Sequence, residues 1–466
     1  MKIIAFTIKA YIIFNNSIFL TIYGFASKVF IYKMVVINIC NKIPIIISNF
    51  IISQKLIKCE TNIFMRNRKC LSRAERVVRA FGRRFPENAG PAALYSAPGR
   101  TELGGNHTDH QHGHALCASV DLDMLACAAP NGLDRIRVIS EGYPAVEVSL
   151  SALEPDEAEY GSTAALVRGV AAGIADRGYG LRGFDAYVHS NVIAGSGLSS
   201  SAAFEILIGA VLNRLCCEGA LDAIELAKIG QRAENLYFGK PCGLLDQIGA
   251  SVGGAVAIDF FDPAAPAVQR VDYDFGRSGH SLCIIDSGST HADLTDDYAG
   301  IPAEMGAVAA CFGKRYLAEL PEAEFRAGLN PVRARCGNRA VLRALHFYHD
   351  DGNAQAEAAA LARGDFAEFL GIVNRSGLSS IENLQNIFSP AHPENQAVGL
   401  AISLGRELLE GSGAIRVHGG GFAGTVQAFV PNERLETFRS GIEAVFGKGK
   451  CHVLHIRPVG GCILLP

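Results

Sequence analysis

The stretch GSGLSSSAA, residues 195–203, decides how this chain is read. The segment before it, FDAYVHSNV over 184–192, alternates apolar and polar residues like a strand. The segment after it, 200–215, has the apolar density of a helix. The loop therefore joins a strand to a helix. Glycine lets the backbone approach a polyanion closely, and serial N–H groups at a helix start point toward it. Three serine hydroxyls can add hydrogen bonds, and one of them can reach a magnesium ion. No GxxxxGK[ST] pattern occurs in the chain, so this is not a Walker loop. The plain alternative is a Ser/Gly turn that caps a helix.

A second loop, SAPGRTELGGNHTDHQHG over 96–113, packs Arg100, Asn106, His107 and Asp109 into one turn-rich stretch. Those groups could hold a small polyol. His107, Asp109, His110, His112 and His114 also suggest a metal centre. Strong zinc patterns space ligands along a helix, however, whereas Gly104, Gly105 and Gly113 argue for a loop. A solvated polar turn is the remaining reading. HGGGFAG at 418–424 matches GxGxxG, but TVQAFVP follows it and reads as a strand. A dinucleotide fold needs a helix there. RAENLYFGKPCGLLDQIGASVGG at 232–254 places acids among apolar residues. Glu234 falls near a helix end, where the dipole disfavours a carboxylate unless it has a partner such as a cation. Asp246 follows a Pro-Cys-Gly break and sits among Leu244, Leu245 and Ile248. Structural hydrogen bonding is the plain reading of both acids.

With 466 residues the chain is long enough for two domains. A net charge of -3 without a Lys/Arg block gives no footprint for nucleic acid. Thirteen scattered cysteines without a CxxC pair read as reduced thiols of a cytoplasmic protein. Residues 1–64 are rich in Ile, Asn, Lys and Phe and contain no Asp or Arg, unlike all that follows. That segment reads as a membrane-prone stretch, a poor signal peptide, or an extension upstream of a true start at Met65. Function is argued from Met65 onward, with no membrane partner unless 1–64 is genuine. Further helices are expected over 71–85, 162–175 and 222–238. Strands are expected over 93–97, 115–129, 134–140, 282–287, 415–417 and 425–430. The expected division is 1–64, 65–287 and 288–466.

Together these loops resemble the galactokinase branch of the GHMP small-molecule kinases, from about Ser96 to the C-terminus. GSGLSSSAA and AENLYFGKPCGLLDQ are close matches to the family's motifs. The resemblance implies an α+β fold. An N-terminal α/β domain would carry the phosphate loop, a C-terminal ferredoxin-like α+β domain would follow, and ATP would bind between them. It implies that Gly195, Ser196, Gly197, Leu198, Ser199, Ser200 and Ser201 wrap the ATP phosphates. Ser201 and Glu234 would hold Mg²⁺. Asp246 would take the proton of the anomeric hydroxyl, and Arg100 would stabilise the developing charge. Asn106, His107, Thr108, Asp109 and Tyr298 would hold the sugar, and 419–424 would pack near the phosphate loop.

The first motif departs from the family's pattern, which is close to GRVNLIGEHTDY. Glu102 stands for the asparagine, Gly104 for the isoleucine, Asn106 for the acid and His110 for the tyrosine. An amide at 106 both donates and accepts, so another sugar is the alternative to galactose: N-acetylgalactosamine, arabinose or a uronic acid. A sugar- and ATP-binding sensor without turnover is a third reading. In the third motif Ala423 replaces a usual glycine. The working unit is expected to be a monomer.

Overall fold

A computed structural model describes residues 68–193, 197–289 and 294–465 of the chain. The readings of residues 1–64 lie outside the described residues. Residues Ser72–Pro466 form one compact unit. Among the described residues no helix is long and apolar enough to cross a membrane.

Helix α1 (Arg68–Arg84) leads into β1 (Ala93–Gly104) and β2 (His114–Pro130), the antiparallel centre of an eight-stranded sheet. Both strands are buried along nearly their whole length, so both faces of the sheet are covered. The length of β2 lets it take two partners on one edge. Its C-terminal half pairs with β5 (Phe184–Ser190), and its N-terminal end pairs with β6 (Ala255–Asp259). Strands β3 (Arg135–Ser140) and β4 (Val146–Ser149) extend the sheet beyond β5, and β7 (Ala267–Val271) pairs with β6. Helices α2 (Thr163–Ala175), α3 (Ser200–Cys216), α4 (Ala223–Arg232) and α5 (Leu245–Val252) pack on one another, and α3 and α5 also lie against β1 and β2.

The second sheet begins with β8 (His280–Asp286). Helices α6 (Thr295–Ala310), α7 (Glu322–Ala327), α8 (Leu329–Ala362), α9 (Phe366–Ser379) and α10 (Ala397–Leu409) separate β8 from β9 (Ala414–His418) and β10 (Thr425–Pro431). Helix α11 (Leu435–Phe446) then leads to β11 (Cys451–Leu454). The strands lie in the order β11-β8-β10-β9 and every pairing is antiparallel. Numbered along this unit the order is fourth, first, third, second, with α10 and α11 packed on the sheet, which is the ferredoxin-like arrangement. Ile415, Val417, Val426, Ala428 and Phe438 form its apolar layer.

Three features differ from the sequence reading. Strand β1 continues to Gly104 rather than ending at Ala97, so Arg100 lies on a strand and not in a turn. Pro98 and Gly99, which look like a turn in sequence, mark a register shift in the β1–β2 ladder. Strand β8, which precedes the expected boundary at 287, pairs in the ferredoxin-like sheet and not in the first one. Finally, β12 (Cys462–Leu465) returns to the first sheet and pairs with β1.

Candidate active site

Strand β1, the phosphate-type loop and α5 converge on Arg100 and Asp246. Gly99 has no side chain, and a Cβ there would stand 2.8 Å from the Leu198 carbonyl. The loop can therefore lie directly on the strand, and Arg100 N–H donates to Leu198 O at 3.0 Å. On the other side, a Cβ at Gly249 of α5 would stand 2.8 Å from Arg100 Cβ. The buried guanidinium passes between them. Its Nε and Nη2 donate to Asp246 Oδ1 at 2.8 and 2.5 Å, and its Nη1 donates to the Gly197 carbonyl. Ser199 Oγ donates to Asp246 Oδ2. Burial pushes the Asp246 carboxyl up, but the Arg100 charge and the Ser199 hydroxyl outweigh it and hold the acid below its ordinary range. Ser199 takes a left-handed conformation (φ 57°) at the start of α3, a strained geometry for a residue with a side chain.

Of the expected phosphate-binding residues, Gly195 and Ser196 lie outside the described residues. Gly197 to Ser201 run into the N-terminus of α3, as the strand–loop–helix reading requires. The third glycine segment adjoins them: a Cβ at Gly197 would meet His418 Nδ1 at 3.1 Å.

Behind the loop lies an acidic cluster. Helix α4 does not run on smoothly to Phe238 but turns into a π-helical segment, Ala233–Tyr237. That widened turn re-aims Glu234 inward, where it is 1 % exposed. Ser201 Oγ donates to Glu234 Oε1 at 2.9 Å, Lys240 Nζ reaches the same oxygen at 2.9 Å, and Gln247 Nε2 donates to Oε2 at 2.9 Å. Gln247 also donates to Glu205 Oε2 at 3.0 Å. Burial and the nearby Glu234 push the Glu205 carboxyl well above its ordinary range. Sequence reasoning missed Glu205, Gln247, Lys240 and Ser199 as partners of the two acids. The one signal present was Glu234 at a helix end, which called for a cation.

The expected sugar residues divide into two groups. His107 (φ 60°) and Tyr298 frame the third glycine segment. A His107 ring nitrogen, Nε2, lies 2.9 Å from the Gly420 carbonyl, and Tyr298 Oη donates to Gly421 O at 2.9 Å. Burial and the adjacent His110 push His107 down to about 3, so the ring is neutral. Its Nδ1 has no hydrogen-bond partner among the described residues. Asp109 Oδ2 lies against the place where a Cβ of Gly243 would stand, which brings this acid to the Pro-Cys-Gly turn ahead of Asp246. Asn106 and Thr108, by contrast, are fully buried and engaged by the protein itself. Asn106 Nδ2 donates to Gly419 O at 2.7 Å and Glu102 Oε1 at 3.0 Å, and its Oδ1 accepts from Asn386 Nδ2 at 2.8 Å. Thr108 Oγ1 donates to His114 O at 2.6 Å and Gly105 O at 2.8 Å.

His110 stays beside His107, with ring centroids 5.5 Å apart, but the other two histidines disperse. His112 stacks on Tyr316 with ring centroids 3.6 Å apart, and His114 Nδ1 lies 3.0 Å from Asp351 Oδ1. Among the described residues no group of three or more His, Cys, Asp or Glu is placed to hold a metal ion. HGGGFAG is followed by β10, so no dinucleotide-type helix exists there.

Comparison with known proteins finds similar chains and similar folds. The family model described as GHMP kinases N terminal domain matches residues 162–254, and the galactokinase galactose-binding signature matches 79–130. A galactokinase of Streptomyces coelicolor is 29% identical over 378 residues, covering 80% of this chain and 94% of that protein. One of Clostridium tetani is 26% identical over 361 residues, covering 76% and 88%. Among solved structures, Lactococcus lactis galactokinase complexed with galactose superposes with a TM-score of 0.70 at 23% identity, covering 83% of this chain and 100% of that one. A mevalonate kinase superposes at 0.56 with 14% identity, covering 78% and 99%, and so shares the fold. Over most of its length the chain is similar in sequence to galactokinases, two kinase-family models match stretches within residues 79–254, and its fold is similar to that of solved GHMP-type kinases.

Proposed function

We propose that the chain transfers the γ-phosphoryl group of ATP to the anomeric hydroxyl of galactose, giving galactose 1-phosphate and ADP. The observation that carries this reading is the Arg100–Asp246–Ser199 constellation at the mouth of the serine loop. Asp246 would accept the hydroxyl proton as the sugar oxygen attacks phosphorus and the β,γ-bridging oxygen leaves with ADP. A carboxylate held below its ordinary range is a weak base, so this transfer accompanies phosphoryl transfer rather than preceding it. Arg100 keeps Asp246 ionised and places positive charge next to the oxygen that changes charge. Residues 195–201 would cradle the phosphates with backbone N–H groups.

Ser201 and Glu234 fit Mg²⁺, because a buried carboxylate beside a hydroxyl already holds a positive group, the Lys240 ammonium. When bound, that ion would neutralise charge on the phosphates. His107, through its unpartnered Nδ1, together with Asp109 and Tyr298, would contact the sugar. Asn106 and Thr108 would support that loop from behind. A second sugar is favoured by one observation: the residue at 106 is an amide spent on protein contacts, where the family pattern supplies an acid. The proposal needs no second chain and no membrane, and a cytoplasmic monomer suffices for it.

The test is ADP release by the full chain with ATP, Mg²⁺ and a panel of galactose, N-acetylgalactosamine, arabinose and a uronic acid. Galactose should give the highest kcat/KM. Sugar-independent ADP release, or none, would overturn the kinase reading, and a preference for another sugar would replace galactose.

A further inference from the structure

Among the described residues, Lys240 is the one group on Glu234 that comes from the surface. Its side chain is 61% exposed, whereas the Glu234 side chain it meets is 1% exposed. The other groups on that carboxylate among the described residues, Ser201, Gln247 and the Cys242 thiol, are neutral. A carboxylate buried without a counter-charge is costly, so the ammonium helps make Glu234 tolerable in the metal-free protein. The backbone holds the base of the lysine in place. Lys240 N–H donates to Glu234 O at 3.1 Å, between Gly239 (φ 76°) and Pro241. The long stem above that anchor is largely open to solvent.

The ammonium and Ser201 Oγ share a single oxygen, Glu234 Oε1. A divalent cation taken up by Ser201 and Glu234 would need that same oxygen. The ammonium and the divalent cation would compete for it, because like charges at one oxygen repel. Arg100 cannot act as the alternative counter-ion, because its guanidinium is buried and committed to Asp246 and the Gly197 carbonyl.

We infer that Lys240 is a displaceable placeholder for the cation position at Glu234, holding the site in the metal-free protein and yielding it when a divalent cation arrives with nucleotide. This rests on the kinase reading above. The consequence runs against the usual expectation for a lysine near a phosphate site: removing it strengthens cation binding, because a competitor is gone. An ion pair with one exposed partner corresponds to about a 1.5- to 5-fold change in affinity.

The experiment uses Mn²⁺ as the probe cation, read by electron paramagnetic resonance on the full chain at saturating ADP. Lys240→Met should lower the apparent Kd for Mn²⁺ by about 1.5- to 5-fold, and Lys240→Arg should return it to the wild-type value. The variant should also lose stability in the absence of metal and recover it when Mn²⁺ is added. An unchanged or weaker Mn²⁺ affinity in Lys240→Met overturns the placeholder role, since a lysine serving only the fold or only the phosphates gives that result. A wild-type chain that binds no Mn²⁺ in the presence of ADP overturns the kinase reading itself, and this inference with it.

Discussion

Replacing Glu102 with glutamine separates two forces that compete at one buried carboxyl. Glu102 is 8% exposed, pairs with Arg416 Nη2 at 2.7 Å and accepts from Asn106 Nδ2 at 3.0 Å. Burial pushes its carboxyl up from 4.5 to about 7, against the pull of Arg416 and Arg100. The sign of the effect follows from linkage. Between about pH 4.5 and about 7 the folded protein holds a proton that the unfolded chain has released, so stability from this group falls as pH rises through that window. The interval between those two values, at about 1.36 kcal/mol per pH unit, amounts to roughly 3 kcal/mol. Glutamine keeps an oxygen for Arg416 but has no proton to lose. Urea unfolding of the full chain and of Glu102→Gln at pH 5 and pH 8 measures the difference. The variant should gain about 2.5 kcal/mol relative to wild type between the two conditions, because part of the window lies below pH 5. A pH-independent difference, or a variant that falls behind at pH 8, would mean that Arg416 wins and Glu102 is ionised throughout.

Other substitutions report on other joints of the site. A Cβ at Gly104 would overlap Glu357 Oε2, so Gly104→Ala should lower the urea midpoint by the equivalent of about 1–3 kcal/mol, and an unchanged midpoint would contradict the contact. Asp246→Asn should cut kcat by about 10²- to 10⁴-fold while MgATP still binds, and a near-normal rate would remove Asp246 as the base. Arg100 helps hold Asp246 below its ordinary range, so Arg100→Lys should move the acid limb of kcat/KM to higher pH; a limb that stays in place would show that Ser199 suffices.

Local patterns carried much of this architecture. The alternation of 184–192, the helix after Ser200 and the strand after HGGGFAG all have the expected form, because their periodicities are set by burial on one face or two. What failed depends on partners distant in sequence. Pro98-Gly99 looks like a turn until β2 is seen to pair on both sides of it. The four residues CILL give no sign that they will pair with β1, more than 350 positions upstream. The same holds for the site. Arg100, Asp246 and Glu234 were legible as unusual residues in glycine-punctuated segments. Lys240 and Gln247 acquire meaning through the π-helical turn that brings Glu234 round to them. Asn106 looked like a sugar ligand in sequence, but Asn386 and Gly419, which engage its amide, come from the other half of the chain.

The most direct test of the central claim is the identity of the product. The full chain incubated with ATP, Mg²⁺ and galactose should yield, by proton-coupled ³¹P nuclear magnetic resonance, a phosphate ester split by the anomeric proton, in step with ADP formation and absent with Asp246→Asn. A product phosphorylated at another hydroxyl, or ADP formed without any sugar phosphate, would contradict the account.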